Sequence, residues 1–175
     1  MRKRSSGDKL RKEDKYNPEY IDFGPDTTVY WSECALEIDG EVKFDYDWIT
    51  GWIKHNGDGW RLPTVEEVKQ LKWVKPTMYA APYNDFEYGY IGFQMSDEND
   101  VLISDKNKLL KYRRIPNVTS TVDHFWTNDM WESNDFTNGF IKEYGFNNQW
   151  KFKIYIVNKN NRNPVFLVKD KKSED

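Results

Sequence analysis

One thiol and two imidazoles, Cys34, His55 and His124, are the residues from which this chain could assemble a Cys-His nucleophile. A reactive thiol has to be solvent-accessible beside its base. Tyr30, Cys34 and Ile38 recur instead at helical spacing, an apparent apolar face on which a thiol behaves as a small core residue, and His55 falls in a turn. No glycine-rich phosphate cradle, serine elbow or two-histidine metal pair accompanies them. The chain therefore reads as non-enzymatic, without cofactor or metal. Oxygen donors are denser. The run FWTNDMWESND (125–135) holds Asn128, Asp129, Glu132, Asn134 and Asp135, and SDENDVLISD (96–105) is acidic too. Calcium takes about six to eight oxygens. The second run lacks the glycine and terminal glutamate spacing of a calcium loop and reads as a solvated loop. Rings beside amides offer a different chemistry, because a ring can stack on a sugar or anchor a protein contact. Trp131, Asn134, Phe136, Asn147 and Asn148 are the candidate ligand-binding residues on this ground.

The elements that would position these groups are helical early and extended late. After the extended entry YNPEYIDFGP, a first helix is expected over 27–37, capped by Asp26 or Thr27. Asp39 and Gly40 make a turn, and the ring-rich segment 42–53 reads as strand or irregular. In GWRLPTVEEVKQL (59–71), Pro63 blocks an earlier helix start. Thr64 and Glu67 have the Thr-x-x-Glu spacing of a capping box, in which each side chain satisfies a backbone N–H of the other residue. Val65, Val68 and Leu71 mark the buried stripe of that second helix. Beyond Pro76 the runs 88–95, 100–104, 124–127, 139–145, 150–157 and 164–168 are short, β-branched and aromatic, with Gly, Asn and Asp between them. Trp150, Phe152, Ile154 and Ile156 share one face. The Asn-rich break at 158–163 is expected to fold 150–157 and 164–168 into a closing hairpin. The order argues for an α+β domain.

At 175 residues the chain is one domain with tails, long enough to bury roughly 70% of its unfolded surface. Only 38% of residues are hydrophobic but 17% are aromatic, so large rings must supply much of the core. The net charge of −3 gives no general attraction to nucleic acid or an anionic membrane. Residues 1–15 hold seven basic and three acidic residues, which puts +4 on that segment and leaves −7 on the rest. The domain boundaries read as 1–15 a basic flexible tail, 16–170 the folded domain and 171–175 a solvated tail. In the tail, Arg2, Lys3, Arg4, Arg11 and Lys12 would form a docking arm for an acidic partner or nucleic acid. Lys151 and Lys153 alternate with rings, as in any half-buried strand. The N-terminal residues lack the apolar core of a secretion signal and no run is long enough to span a bilayer, so synthesis in a reducing cytoplasm is expected.

The string GWRLPTVEEVKQL resembles the W-R-L-P-T-x-x-E-L signature of the Lcl C-terminal-like family. That family is a branch of the C-type-lectin-like superfamily, which also includes phage receptor-binding proteins of the major tropism determinant kind. A helix carrying Cys34-Ala35 ahead of the signature, a Phe125-Trp126-Thr127 strand after it, and a late glycine turn with a closing hairpin fit the same order. The closing strand, often V-R-x-V-R in the family, reads Pro164-Val165-Phe166-Leu167-Val168-Lys169 here. The resemblance spans roughly residues 20–170. It implies a C-type-lectin-like fold with two helices, a small twisted antiparallel sheet and long loops. It also implies that Trp60, Arg61, Leu62, Pro63, Thr64, Glu67 and Trp126 serve the scaffold, while loops before the last strands display the ligand surface. A lectin-type calcium site would need a Glu-Pro-Asn-like partner, and Ile115-Pro116-Asn117 lacks the acid. Sulfatase-activating enzymes of this superfamily need reactive or metal-binding cysteines, which one thiol cannot supply. The function this implies is a binding or display module on a phage virion, made in the host cytoplasm. Its partners would be other virion proteins or a host receptor, protein or glycan, and it would be a homo-oligomer, as a trimer or docked on a larger assembly. The alternative is an intracellular protein or nucleic-acid binder using the basic tail.

Overall fold

The computed structural model describes residues 9–80, 88–103, 109–116, 125–130, 135–144 and 149–171. It is an α+β protein with short helices and antiparallel pairing throughout its sheets. Strands β1 (Tyr20–Ile21), β2 (Val29–Ser32), β4 (Trp60–Arg61) and β12 (Val168–Asp170) form one sheet in the order β1-β2-β12-β4. Two further sheets have three strands each. One is β5 (Val74–Ala80), β6 (Tyr88–Met95) and β7 (Leu109–Pro116); the other is β10 (Trp150–Asn158), β9 (Phe136–Tyr144) and β8 (Phe125–Met130). A small ribbon pairs β3 (Phe44–Asp45) with β11 (Arg162–Asn163). Among the described residues no helix is long and apolar enough to cross a membrane.

The helix expected over 27–37 is not formed; β2 and a buried loop take its place. Val29, Tyr30 and Trp31 favour a pleated surface, and β2 has a strand on each side, with Ile21 opposite Trp31 and Val168 opposite Trp31 across it. From the end of β2 onward the backbone bonds to distant chain instead of to itself: Ser32 N–H donates to Leu167 O at 2.9 Å and Leu36 N–H to Val165 O at 2.8 Å. The helical spacing of Tyr30, Cys34 and Ile38 is thus coincidental. All three lie on extended or looped backbone.

The first helix instead falls in the segment read as strand or irregular. Helix α1 (Tyr46–Asn56) buries Tyr46, Ile49 and Trp52 at helical spacing and carries Lys54 in its last turn, where a cation complements the helix dipole. It ends at Gly57, whose N–H donates to Ile53 O at 2.8 Å; a Cβ there would come within 2.5 Å of Ile53 O. Asp39 and Gly40 both have positive φ (49° and 82°), and Ile38 and Glu41 exchange backbone hydrogen bonds across them, the geometry of a two-residue primed turn. Helix α2 (Val65–Lys69) is a short second helix.

Two apolar clusters lie on opposite sides of the central strands. The first gathers Trp31, Val68, Leu71, Phe93, Phe125, Phe140, Phe152 and Phe166, and the second Leu36, Tyr46, Ile49, Trp52, Trp60, Leu62, Trp126 and Val157. Neighbours in sequence point to different clusters: Phe125 to the first and Trp126 to the second. Along 165–168, Val165 and Leu167 join the second cluster while Phe166 and Val168 join the first. Alternate side chains of an extended segment point to opposite faces. A segment buried on both faces therefore reads as an unbroken apolar run.

That arrangement replaces the expected closing hairpin. β10 pairs along its whole length with β9, while β12 inserts between β2 and β4. On β10, Phe152 is buried and Trp150 and Ile154 pack against the first cluster, but Ile156 is 52% exposed. The apolar face expected over Trp150–Ile156 stops at Ile154, and the next core contact, Val157, is made from the opposite face.

Residues of both expected tails, 9–15 and Lys171, belong to the body. Leu10 and Tyr16 belong to the second cluster, Asp39 N–H donates to Leu10 O at 2.8 Å, and Tyr16 N–H to Asn56 O at 2.8 Å. Residues 9–15 are therefore docked on the body. At the other end, the Lys171 ammonium reaches Asp22 Oδ1 at 2.7 Å, Gly24 O at 2.9 Å and Thr27 Oγ1 at 3.1 Å.

Candidate functional site

The signature residues are tied to one another and to three elements. β4 places Trp60 opposite Lys169 and Arg61 opposite Val168 of β12. Trp60 and Leu62 are buried in the second cluster, and Pro63 O accepts from Asn128 N–H at 2.8 Å, which pins the turn to β8. Thr64 then caps α2. Its Oγ1 accepts from Glu67 N–H at 3.2 Å, and Glu67 Oε1 accepts from Thr64 N–H at 2.9 Å. Removing the Thr64 hydroxyl by Thr64→Ala is expected to lower stability by about 1 kcal/mol in urea denaturation.

Arg61 completes the lock. Its Nη1 donates to Glu67 Oε1 at 2.8 Å and to Leu62 O at 3.1 Å, and its Nη2 donates to Glu67 Oε2 at 2.6 Å and to Asp170 Oδ1 at 2.8 Å. One planar guanidinium thus fastens β4, α2 and β12 in the bidentate geometry that lysine cannot reproduce. Burial works to raise the Glu67 pKa. The Arg61 hydrogen bonds, the Thr64 N–H and the Arg61 charge outweigh it and hold the carboxyl below its ordinary 4.5. The Glu67 hydrogen bonds likewise push the Arg61 guanidinium above its ordinary value, so the pair is ionised through the neutral range. Both groups are taken up by structural bonds. Trp126 has a comparable place: its indole N–H donates to Phe44 O at 2.8 Å, and the Tyr46 ring meets it edge-on at 5.3 Å.

Of the candidate ligand residues, Phe136 opens β9 opposite Asn158 and is 37% exposed. Trp131, Asn134, Asn147 and Asn148 lie outside the described residues. In the proposed arm, Arg2, Lys3 and Arg4 also lie outside them. Arg11 is exposed, with Nε 3.4 Å from Glu13 and 3.6 Å from Asp14, while Lys12 O accepts the Trp52 indole N–H at 2.7 Å. The backbone at Lys12 is part of the fold. Cys34 is buried, with its carbonyl accepting from Ser32 Oγ at 3.0 Å. His55 is an exposed residue at the end of α1, not in a turn, and its carbonyl accepts from Lys15 Nζ at 2.7 Å; His124 lies outside the described residues. Among the described residues no group of three or more His, Cys, Asp or Glu could hold a metal ion. In the acidic run 96–105, Asp97 Oδ1 accepts from Asn99 N–H at 2.8 Å and Val101 N–H at 3.0 Å, closing a turn.

The sequence reading passed over Lys75. It is almost wholly buried on β5, with its Nζ bonded to Leu71 O, 3.2 Å from Asp100 Oδ1 and 5.2 Å from the Phe152 ring centre. Burial pushes its pKa below the ordinary lysine value, and the Asp100 charge only partly restores it. It lines a cleft of about 540 Å³, together with Lys69, Lys72, Trp73, Phe152 and Ile154. Trp73 is 58% exposed at its rim. The rim is electrically mixed, because Lys72 faces Asp26 at 3.6 Å and Lys153 faces Glu143 at 3.5 Å. Alternation along β5 gave no signal for this lysine, because the covering groups come from Asp100 and β10, far away in sequence. A second, smaller depression of about 290 Å³ is walled by Tyr20, Tyr30 and Trp60 with Asn17, Lys169 and Asp170. No family model matches the sequence, and no curated protein or solved structure matches it either.

Proposed function

We propose that this chain is a non-enzymatic binding module of C-type-lectin-like kind, displayed on a phage virion as a capsid or tail decoration or as a host-attachment protein. The observation that carries the reading is the use of the signature. Among the residues of the lectin-like resemblance, Trp60 and Leu62 are buried in the second cluster, and Arg61, Thr64 and Glu67 are spent on joining β4, α2 and β12. A signature committed to scaffolding leaves recognition to surface rings. Among the described residues Phe136 on β9 and Trp73 at the cleft rim offer such rings, and aromatic anchors in partly desolvated pockets dominate protein and sugar contacts. The virion setting rests on the resemblance to the superfamily that holds phage receptor-binding proteins.

Mass spectrometry of purified particles tests the reading. The chain is expected as a stoichiometric particle component that remains after high-salt washing. Absence from every particle, with free protein in the host cytosol, would overturn the display reading.

A further inference from the structure

β10 is the outer strand of its sheet, and among the described residues its free edge is covered over only half its length. Leu102 N–H donates to Trp150 O at 2.8 Å and Phe152 N–H donates to Asp100 O at 2.9 Å, so the backbone groups of Trp150 and Phe152 point away from β9. The β10–β9 register runs without a shift from Trp150 to Asn158. Outward-pointing residues alternate along a strand, so Ile154 and Ile156 present their N–H and C=O groups to the same edge. Among the described residues nothing meets these groups. The open stretch 153–157 is bounded by the Val101–Lys151 bridge at one end and by the turn Asn158–Asn161 at the other.

Such an edge is ordinarily guarded by charge, proline or a bulge. Here Lys151 lies in the covered half and Lys153, the one charge in the open stretch, stands at its start with its ammonium drawn to Glu143 at 3.5 Å, so the remainder reads Ile154-Tyr155-Ile156-Val157, with Ile156 52% and Tyr155 39% exposed. We propose that this edge pairs antiparallel with the same edge of a second copy, about a twofold axis passing beside Tyr155. The phase of the backbone selects that register. With the axis at Tyr155, Ile154 falls opposite Ile156 of the partner subunit, and both residues have outward groups to exchange. Side chains agree with it. The exposed Ile156 of the partner subunit lies against Ile154 at the wall of the cleft that Trp73 rims, so apolar surface on both copies leaves water. Lys153 falls opposite Val157 of the partner subunit, so no like charges face each other within the ladder. Lys151 and Lys159 would meet only beyond it, and Lys159 is held 4.7 Å over the Tyr46 ring.

Because both ends of the stretch are blocked, the pairing closes as a dimer instead of growing into a fibre. It is twofold, unlike the trimer that the sequence suggested. A ladder this short belongs to the small, weak class of interfaces, which places dissociation at roughly 10–100 μM. The inference does not depend on the lectin-like reading or on the ligand.

Sedimentation equilibrium on the full chain, read together with cross-linking, tests it. The wild type is expected to be a concentration-dependent dimer. Ile156→Lys, at an exposed position, is expected to melt like the wild type and to dimerise at least ~10-fold more weakly, because each copy loses an apolar contact. Tyr155→Cys reports the register. Residues opposite each other at a non-hydrogen-bonded site have Cα atoms about 4.5 Å apart, within disulfide range, so this variant is expected to cross-link under mild oxidation. Lys153→Cys, facing Val157 of the partner subunit, is expected to stay uncross-linked. The proposal is overturned by a wild type that stays monomeric at about 200 μM, by a dimer that Ile156→Lys leaves intact, or by Lys153→Cys cross-linking as readily as Tyr155→Cys.

Discussion

Arg61→Met is expected to lower the stability of the protein by about 2–3 kcal/mol at pH 7. Breaking one partner out of a buried ion pair costs about 3–5 kcal/mol, because the remaining charge stays desolvated and unpaired. The lower range applies because the Arg61 side chain is 30% exposed, although Glu67 is only 10% exposed. The cost should depend on pH in a definite direction. The carboxyl of Glu67 titrates below its ordinary 4.5 in the folded protein. Its contribution is therefore complete above the unfolded value and is lost as pH falls through the folded one. Urea denaturation from pH 7 down to pH 3 should show wild type and Arg61→Met converging in acid. Glu67→Gln separates charge from cap, since the amide oxygen can still accept from Thr64 N–H. A double-mutant cycle over Arg61 and Glu67 should return coupling well above 0.5 kcal/mol, the usual threshold for residues in contact. A cycle that closes to zero, or a pH-independent gap between wild type and Arg61→Met, would mean the guanidinium is not the clasp described.

The part of this fold that could be read from sequence is the part whose partners are close in the chain. Thr64 and Glu67 are three residues apart, and their reciprocal bonds need only the local backbone. The Asp39-Gly40 turn is local in the same sense, and the run 88–95 coincides with β6 because its rings and β-branched residues are bounded by turn residues. Errors came where distant chain decides conformation. Segment 27–37 has helical spacing, yet its backbone hydrogen bonds go to Val165 and Leu167. Segment 42–53 looks irregular because its rings crowd both faces. Tyr46, Ile49 and Trp52 reach the core, whereas Trp48 lies outside and stacks on Phe44 at 5.7 Å. The run Pro164–Val168 has 150–157 as its nearest strand in sequence, but it is threaded between two clusters and ends beside β2 and β4. The candidate site divides along the same line. The interlock of Arg61 with Glu67 could be inferred from a six-residue span, but its third partner, Asp170, comes from the far end of the chain. Lys75 could not be found at all from local pattern.

The larger loss is expected at Trp126, where Trp126→Ala should cost about 4–5 kcal/mol. Truncating a buried aromatic to alanine costs about 3–5 kcal/mol through lost transfer energy and the cavity left behind. Trp126 is at the upper end for a structural reason. It is fully buried, it packs edge-on against Tyr46, and its indole N–H satisfies Phe44 O on the strand that leads into α1. Its neighbour Phe125 stacks on Phe140 at 4.9 Å in the opposite cluster, so movement of β8 to fill the cavity would disturb a second packed face. Collapse is therefore resisted, and unrelaxed cavities are the expensive ones. For a chain of this size the loss corresponds to a fall in melting temperature of roughly 10–15 °C. Trp126→Phe apportions the effect. It keeps most of the ring area but leaves the Phe44 carbonyl without its donor, which should cost about 1–3 kcal/mol. The unfolding transition of Trp126→Ala should remain a single step in both near- and far-ultraviolet circular dichroism, since β8 contributes to both clusters and neither can melt alone. Two separated transitions would show that the clusters melt independently despite β8, and a loss below about 2 kcal/mol would show that β8 relaxes into the cavity.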